Sequence, residues 1–203
     1  MRIGCLQFAP QVGDIENNLN RADAVFSKAD PQDLDLLVLP ELAFTGMFAQ
    51  TKSPQPPHRS NTPRICIFSA TVHYLVLLAG EYLLTNFFYI GYNFRSLQDI
   101  SPFLEPSGSG ITSLWARTMA LKYNCNVSVG YPEKVDVSGK WPTGPEYYNS
   151  NIVVNGDGET IANYRKSFLY HTDQTWALEG QGGFYDGWIP GLGNTAIGIC
   201  KFP

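Results

Sequence analysis

Leu34-Asp-Leu-Leu-Val-Leu39 is a nearly unbroken apolar run, closed by Pro40 and followed by Glu41. A strand covered on both faces reads this way, whereas a half-exposed strand alternates. Proline cannot donate to a ladder, so Pro40 ends the strand and leaves Glu41 just past its C-terminal end. In α/β sheets, ligand sites gather at that end of the strands.

Outward from this run, strands alternate with helical patterns. Ile3 to Phe8 reads as a first strand closed by Pro10. Asp14 is suited to a helix N-cap and Glu16 to the first turn. Ile15, Leu19, Ala22, Val25, Phe26 and Ala29 then recur at helical spacing, and Pro31 ends that helix. Gly110 to Asn124 reads as a second helix, with Ile111, Leu114, Trp115, Thr118 and Met119 on one face. Asn126 to Gly130 is a short strand. Ser150 to Asn155 and Thr160 to Tyr164 flank Asp157-Gly158, which signals a hairpin. Lys166 follows that hairpin, and Thr195 to Ile199 is a last strand with Cys200 at its end. The rhythm predicts an α/β fold with Glu41, Lys166 and Cys200 all at strand exits.

Composition narrows the function classes. A chain of 203 residues with 44% hydrophobic content can bury one ordinary core. The net charge of −4 is made of scattered charges of both signs, with no basic stripe for nucleic acid. Cys5, Cys66, Cys125 and Cys200 show no CxxC spacing and no accompanying histidine pattern, which argues against a structural zinc site or a disulfide framework. The start of the chain reads as a strand rather than a signal peptide. The expected setting is reducing, intracellular and cytoplasmic.

Met47 to Gly91 breaks the rhythm. Met47 to Ser60 is rich in Pro, Gln, Ser and Thr, and Ile65 to Leu84 is strongly apolar. About 20 apolar residues can span a bilayer, but His73 and Glu81 fall inside this window. An acid there costs roughly 2.5–3.5 kcal/mol on insertion scales, so a membrane span is disfavoured. Removing the segment joins Phe44-Thr-Gly46 to Tyr92-Asn-Phe94 and restores Leu-Pro-Glu-Leu-Ala-Phe-Thr-Gly-Tyr-Asn-Phe. We read residues 47–91 as an anomalous insertion, such as a translated retained intron.

Glu41, Lys166 and Cys200 suffice for amide hydrolysis without metal or organic cofactor. A thiol, with a free pKa of roughly 8.5, is a poor nucleophile until deprotonated. A carboxylate can take that proton as general base and return it to the leaving amine. A fixed ammonium stabilises the oxyanion of the tetrahedral intermediate, and removing one such group typically costs on the order of 10²–10³ in rate. Each residue has a bland alternative: a buried small cysteine, a helix-start acid, a solvated lysine.

Their order decides between these readings. Pro40-Glu-Leu42, Tyr164-Arg-Lys166 and Gly198-Ile-Cys200 together resemble the nitrilase (carbon–nitrogen hydrolase) superfamily. The resemblance runs from Met1 to Gly46 and from Tyr92 to Cys200. The restored Glu41 motif, Val129-Gly-Tyr-Pro-Glu133, Tyr147-Tyr-Asn-Ser150 and Arg165-Lys-Ser-Phe-Leu-Tyr-His-Thr-Asp173 look most like its protein N-terminal amidase branch. The resemblance implies an α-β-β-α sandwich and a Cys thioester mechanism. It also implies deamidation of protein or peptide N-terminal Asn or Gln, feeding degradation by N-terminal residue. It makes Glu41 the general base, Lys166 the oxyanion-stabilising cation and Cys200 the nucleophile. The superfamily's second glutamate falls on Glu179, the only glutamate between Lys166 and Cys200, though Asp173 and Asp186 also lie there.

In the resemblance, the nucleophile lies near the middle of its domain and an acidic, polar stretch follows it. Here Lys201-Phe202-Pro203 follows Cys200. The expectation is therefore a C-terminally truncated domain over residues 1–203, with a bare sheet edge, poor solubility and no activity as written. A small-molecule amidase, a truncated non-catalytic binder and a membrane-tethered protein are the competing expectations.

Overall fold

The computed structural model describes residues 1–8, 10–45, 64–69, 75–79, 94–140, 142 and 144–199. Its larger sheet contains β1 (Arg2–Gln7), β2 (Leu36–Val38), β3 (Arg64–Ser69), β5 (Glu105–Pro106), β6 (Asn126–Val135), β7 (Glu146–Val154) and β8 (Thr160–Arg165). The order is β3-β1-β2-β6-β7-β8, with the short β5 also pairing β6. β2 lies parallel between β1 and β6, while β6, β7 and β8 form an antiparallel meander. The second sheet has the order β4-β10-β9, from Leu75–Ala79, Gly193–Ile199 and Tyr185–Ile189. Both β3 and β4 fall within residues 47–91. β3 pairs antiparallel with β1, and β4 pairs parallel with β10.

Among the described residues the α-helices are α1 (Ile15–Ala29), the single turn α2 (Leu97–Ile100) and α3 (Ile111–Tyr123). Asp14 caps α1, its carboxylate accepting from the Asn17 amide. No side chain caps α3 at Gly110. Instead Glu105, reaching from β5, accepts from the Thr112 amide at 2.9 Å and its hydroxyl at 2.7 Å. α1 and α3 lie over one face of the larger sheet, and the Trp115 indole donates to Asp23 at 2.7 Å between them. Phe26, Ala22, Trp115, Ala116 and Met119 pack there on Leu37, Val127, Val129, Ile152 and Val154.

The opposite face of the same strands meets the second sheet. Leu36, Val153, Ala162 and Tyr164 pack against Ile189, Leu192, Ile197 and Ile199. The period-two alternation of β7 explains how Ile152 and Val153 serve different cores. β2, buried on both faces, is the strand its unbroken apolar run predicts. The described residues thus supply helix, sheet and sheet layers of the sandwich.

Several boundaries differ from the sequence reading. The strand expected over Asn126 to Gly130 continues to Val135, because its pairing with β7 runs on through Glu133 and Lys134. The predicted face of α3 is rotated. Leu114 is 63% exposed and Ile111 46%, while Thr112, Ser113, Ala116 and Ala120 are buried. α3 lies close on the sheet, and small residues at the contact permit that approach. β9 was not anticipated from the sequence; it pairs antiparallel with β10. The hairpin around Asp157 forms, with the Asn155 side-chain oxygen accepting from the amides of Asp157 and Glu159.

Candidate functional site

Glu41 is carried to its place by the exit of β2. The Leu39 amide bonds to the Ser128 carbonyl at 2.9 Å and the Ala43 amide to the Gly130 carbonyl at 3.2 Å, so the turn rides on β6. A Cβ on Gly130 would stand 2.7 Å from Glu41 Cα and 2.9 Å from the Leu42 nitrogen. Only glycine lets the two backbones come this close. Leu42 itself sits in the left-handed region at φ 47°, an arrangement costing roughly 1–2 kcal/mol for a side-chain-bearing residue. Its side chain is buried with Phe94, Ile100, Leu169 and Trp176, which holds it there.

Lys166 is the first residue after β8. Its amide bonds to the Asn149 carbonyl at 2.8 Å, and its own carbonyl accepts from Gly180 at 2.9 Å. A Cβ on Gly180 would fall 2.2 Å from the Arg165 carbonyl oxygen, so this approach too requires glycine. The Lys166 side chain is 1% exposed. Its ammonium lies 2.8 Å from Glu41 Oε1 and 2.7 Å from Asp173 Oδ2. The Asn149 amide donates to the same Glu41 oxygen at 2.5 Å and reaches Asp173 Oδ1 at 3.4 Å.

The electrostatics follow from this packing. Burial pushes the Glu41 carboxyl up to about 7; the Lys166 ammonium opposes that shift and the Asp173 carboxylate adds to it. Burial alone would weaken the Lys166 ammonium, but Glu41 and Asp173 more than compensate and hold it above its ordinary value. A charged lysine thus faces a carboxyl poised to take up and release a proton near neutral pH.

A second network occupies the other face of the meander. Arg165 grips the fully buried Glu133 through two contacts of 2.9 and 2.8 Å. Ser150 and Asn163 also donate to Glu133, at 2.6 and 3.2 Å. The guanidinium lies 4.2 Å over the Tyr148 ring. Burial would raise the Glu133 carboxyl, but these donors, Arg165 foremost, hold it below its ordinary value.

The structure brings Glu41 and Lys166 into contact. Glu179 is exposed, between two residues whose amides anchor to Tyr147 and Lys166 carbonyls. The acid that joins Glu41 at the ammonium is Asp173. Cys200 lies outside the described residues, next in the chain after β10. Sequence reasoning also passed over Asn149, although its motif Tyr147-Tyr-Asn-Ser150 was in view. A signal for both was present: a polar side chain on a strand buried on both faces, and an acid seven residues after the lysine at a helix-start position. Trp176 is core, whereas Phe184 and Trp188 are exposed. Phe184 stacks near Phe168 at 5.4 Å and lies over Gly198 of β10.

The model of the carbon-nitrogen hydrolase family matches residues 2–184. The chain belongs to the carbon-nitrogen hydrolase family. Among relatives of this carbon-nitrogen hydrolase, a protein N-terminal amidase of Schizosaccharomyces pombe is 26% identical over 98% of this chain and 54% of its own length. Another protein N-terminal amidase, from Saccharomyces cerevisiae, is 36% identical over 51% of this chain and 20% of its own. The chain thus spans about half the length of the first relative and a fifth of the second. The crystal structure of an N-terminal amidase with an Asn-Glu-Ala peptide matches with a TM-score of 0.63 and 24% identity, covering 92% of this chain and 33% of that one. The crystal structure of an N-terminal amidase with a Gln-Val peptide gives 0.61 and 23%, with the same coverage. The carbon-nitrogen hydrolase fold is shared, and among the described residues no helix is long and apolar enough to cross a membrane.

Proposed function

We propose that this carbon-nitrogen hydrolase deamidates N-terminal Asn or Gln of proteins or peptides, with Cys200 as nucleophile, Glu41 as general base and Lys166 as oxyanion-stabilising cation. The observation that carries the reading is the buried Glu41–Lys166 contact of 2.8 Å between the exits of β2 and β8. The relative named protein N-terminal amidase, and the N-terminal amidase structures solved with Asn-Glu-Ala and Gln-Val peptides, support the substrate class.

The residues divide the chemistry as follows. Glu41 takes the Cys200 proton, and the thiolate adds to the side-chain carboxamide carbon. The carbonyl oxygen becomes an oxyanion beside the Lys166 ammonium. Glu41 then gives its proton to the leaving nitrogen, the C–N bond breaks, and ammonia departs from a thioester. In the second half, Glu41 deprotonates a water that attacks the thioester and returns the proton to the thiolate. The products are ammonia and an N-terminal Asp or Glu. A thiol nucleophile suits a reducing compartment, and the same proposal puts the reaction in the cytoplasm. Within the same proposal, residues 47–91 are an insertion foreign to the domain, tested by sequencing transcripts across them.

Ammonia release from Asn- and Gln-initiated peptides, with free asparagine and glutamine as controls, tests the reading. Turnover of the peptides that is abolished by Cys200→Ala, with unchanged circular dichroism, is the expected result. Turnover of the free amino acids alone would assign a small-molecule substrate instead. Activity near wild type in Cys200→Ala would remove that residue from its role.

A further inference from the structure

We propose that Asp173, held by Asn149 and the Tyr170 amide, is a positioning residue that serves as the permanent counter-ion of Lys166 throughout the catalytic cycle. The inference rests on the reading of Glu41 and Lys166 given above.

Asp173 opens a short 3-10 turn, Asp173–Thr175, and is fully buried. Its carbonyl accepts from the amides of Trp176 and Ala177 at 3.0 and 2.8 Å, which fixes the backbone. Its Oδ2 accepts from the Tyr170 amide at 3.0 Å as well as from the ammonium. Tethering the loop would not by itself call for a buried carboxylate, since a buried charge is costly unless paired. The pairing partner here is Lys166.

Lys166 needs a second carboxylate because Glu41 is an inconstant partner. As general base, Glu41 is neutral during part of each half-reaction. With Glu41 alone, the buried ammonium would lose its counter-charge once the base was protonated. It would then swing away or shed a proton, while the oxyanion needs it. Asp173 does not cycle, and it sits on the ammonium at 2.7 Å. Asn149 touches both carboxylates and bonds the Lys166 amide through its carbonyl, so one residue sets the spacing of all three groups. The charged groups that bear on Glu41 among the described residues are Lys166 and Asp173.

Asp173→Asn, nearly isosteric, separates positioning from scaffolding. We expect kcat on an Asn-initiated peptide to fall at least about tenfold while KM changes less than about threefold, as for misplacement of a transition-state group. The Glu41 carboxyl, followed by carbon-13 NMR, should titrate at lower pH once the neighbouring negative charge is gone. A kcat within about twofold of wild type, or an unmoved Glu41 titration, overturns the proposal. Glu41→Gln imitates the protonated base and needs no activity. In that variant the Lys166 ammonium should remain visible and charged in nitrogen-15 spectra at neutral pH, and its disappearance overturns the proposal even if Asp173→Asn fails to fold. If the wild-type chain leaves Asn- and Gln-initiated peptides intact, the functional reading fails, while both titrations still decide the role of Asp173.

Discussion

Replacing Lys166 with methionine keeps most of the side-chain volume and removes the charge. The ammonium is 1% exposed and lies within 2.8 Å of two carboxylates, one of them fully buried. Breaking a buried ion pair by deleting one partner costs about 3–5 kcal/mol, because the remaining charge is left uncompensated. In the variant, Glu41 and Asp173 face each other across Asn149 with no cation between them. The Glu41 carboxyl loses the ammonium that opposes its upward shift, so its proton affinity rises further, and each tenfold rise is worth about 1.4 kcal/mol. A raised carboxyl contributes stability that is present below its unfolded pKa and lost as pH rises through the folded one. The deficit of Lys166→Met relative to wild type should therefore widen from pH 5 to pH 8, reaching about 3–5 kcal/mol at the upper end. Urea unfolding followed by circular dichroism at pH 5, 6.5 and 8 measures it. A deficit below about 1 kcal/mol at pH 8, or one that does not change with pH, would refute the reasoning.

Because the Glu41 carboxyl is pushed up to about 7, mainly by burial, kcat/KM on an Asn-initiated peptide should rise through pH 7 as the base deprotonates. A pH–rate profile whose acid limb lies near an ordinary carboxylate value would contradict this. Gly130→Ala puts a methyl 2.7 Å from Glu41 Cα, where only backbone can give way. It should cost about 1–3 kcal/mol and lower kcat, read by thermal melting and peptide assay together. Phe26→Ala empties a fully buried site under α1, 4.5 Å from the Tyr123 ring, remote from the Glu41–Lys166 contact. It should cost about 3–5 kcal/mol in urea unfolding while leaving kcat per folded molecule unchanged.

The fold was most legible where one physical cause dominated. β2 announced itself because burial on both faces leaves an unbroken apolar run. α1 did so because its cap, its spacing and its terminal proline agree. α3 was legible as a helix but not in its orientation, since the sheet contact favours Ala116 and Ala120 over the larger Leu114, and hydrophobicity alone ranks them the other way. Glu41 and Lys166 were legible from their motifs, and the structure brings them into contact. Asp173 and Asn149 were not, because what distinguishes them is burial beside a lysine distant in sequence from Asn149. A polar residue in a motif looks the same whether its side chain meets water or an ammonium. Glu133 and Arg165 were quoted within motifs, yet their pairing crosses between strands and has no local signature.

The two cations at the end of β8 are consecutive, Arg165 turned to the helix-side network and Lys166 to the site. A one-residue slip of a strand exchanges its faces. In this meander a slip one way would bring Arg165 to Glu41 and Asp173 and leave Tyr164 facing Glu133; a slip the other way would bring Lys166 to Glu133 and leave Ser167 at Glu41. Neither cation suits the other's geometry. The hairpin's registry is thus a chemical proofreader: a misaligned chain would be short of both its structural clasp and its reactive centre at once, so mispaired molecules would be unstable rather than merely inert.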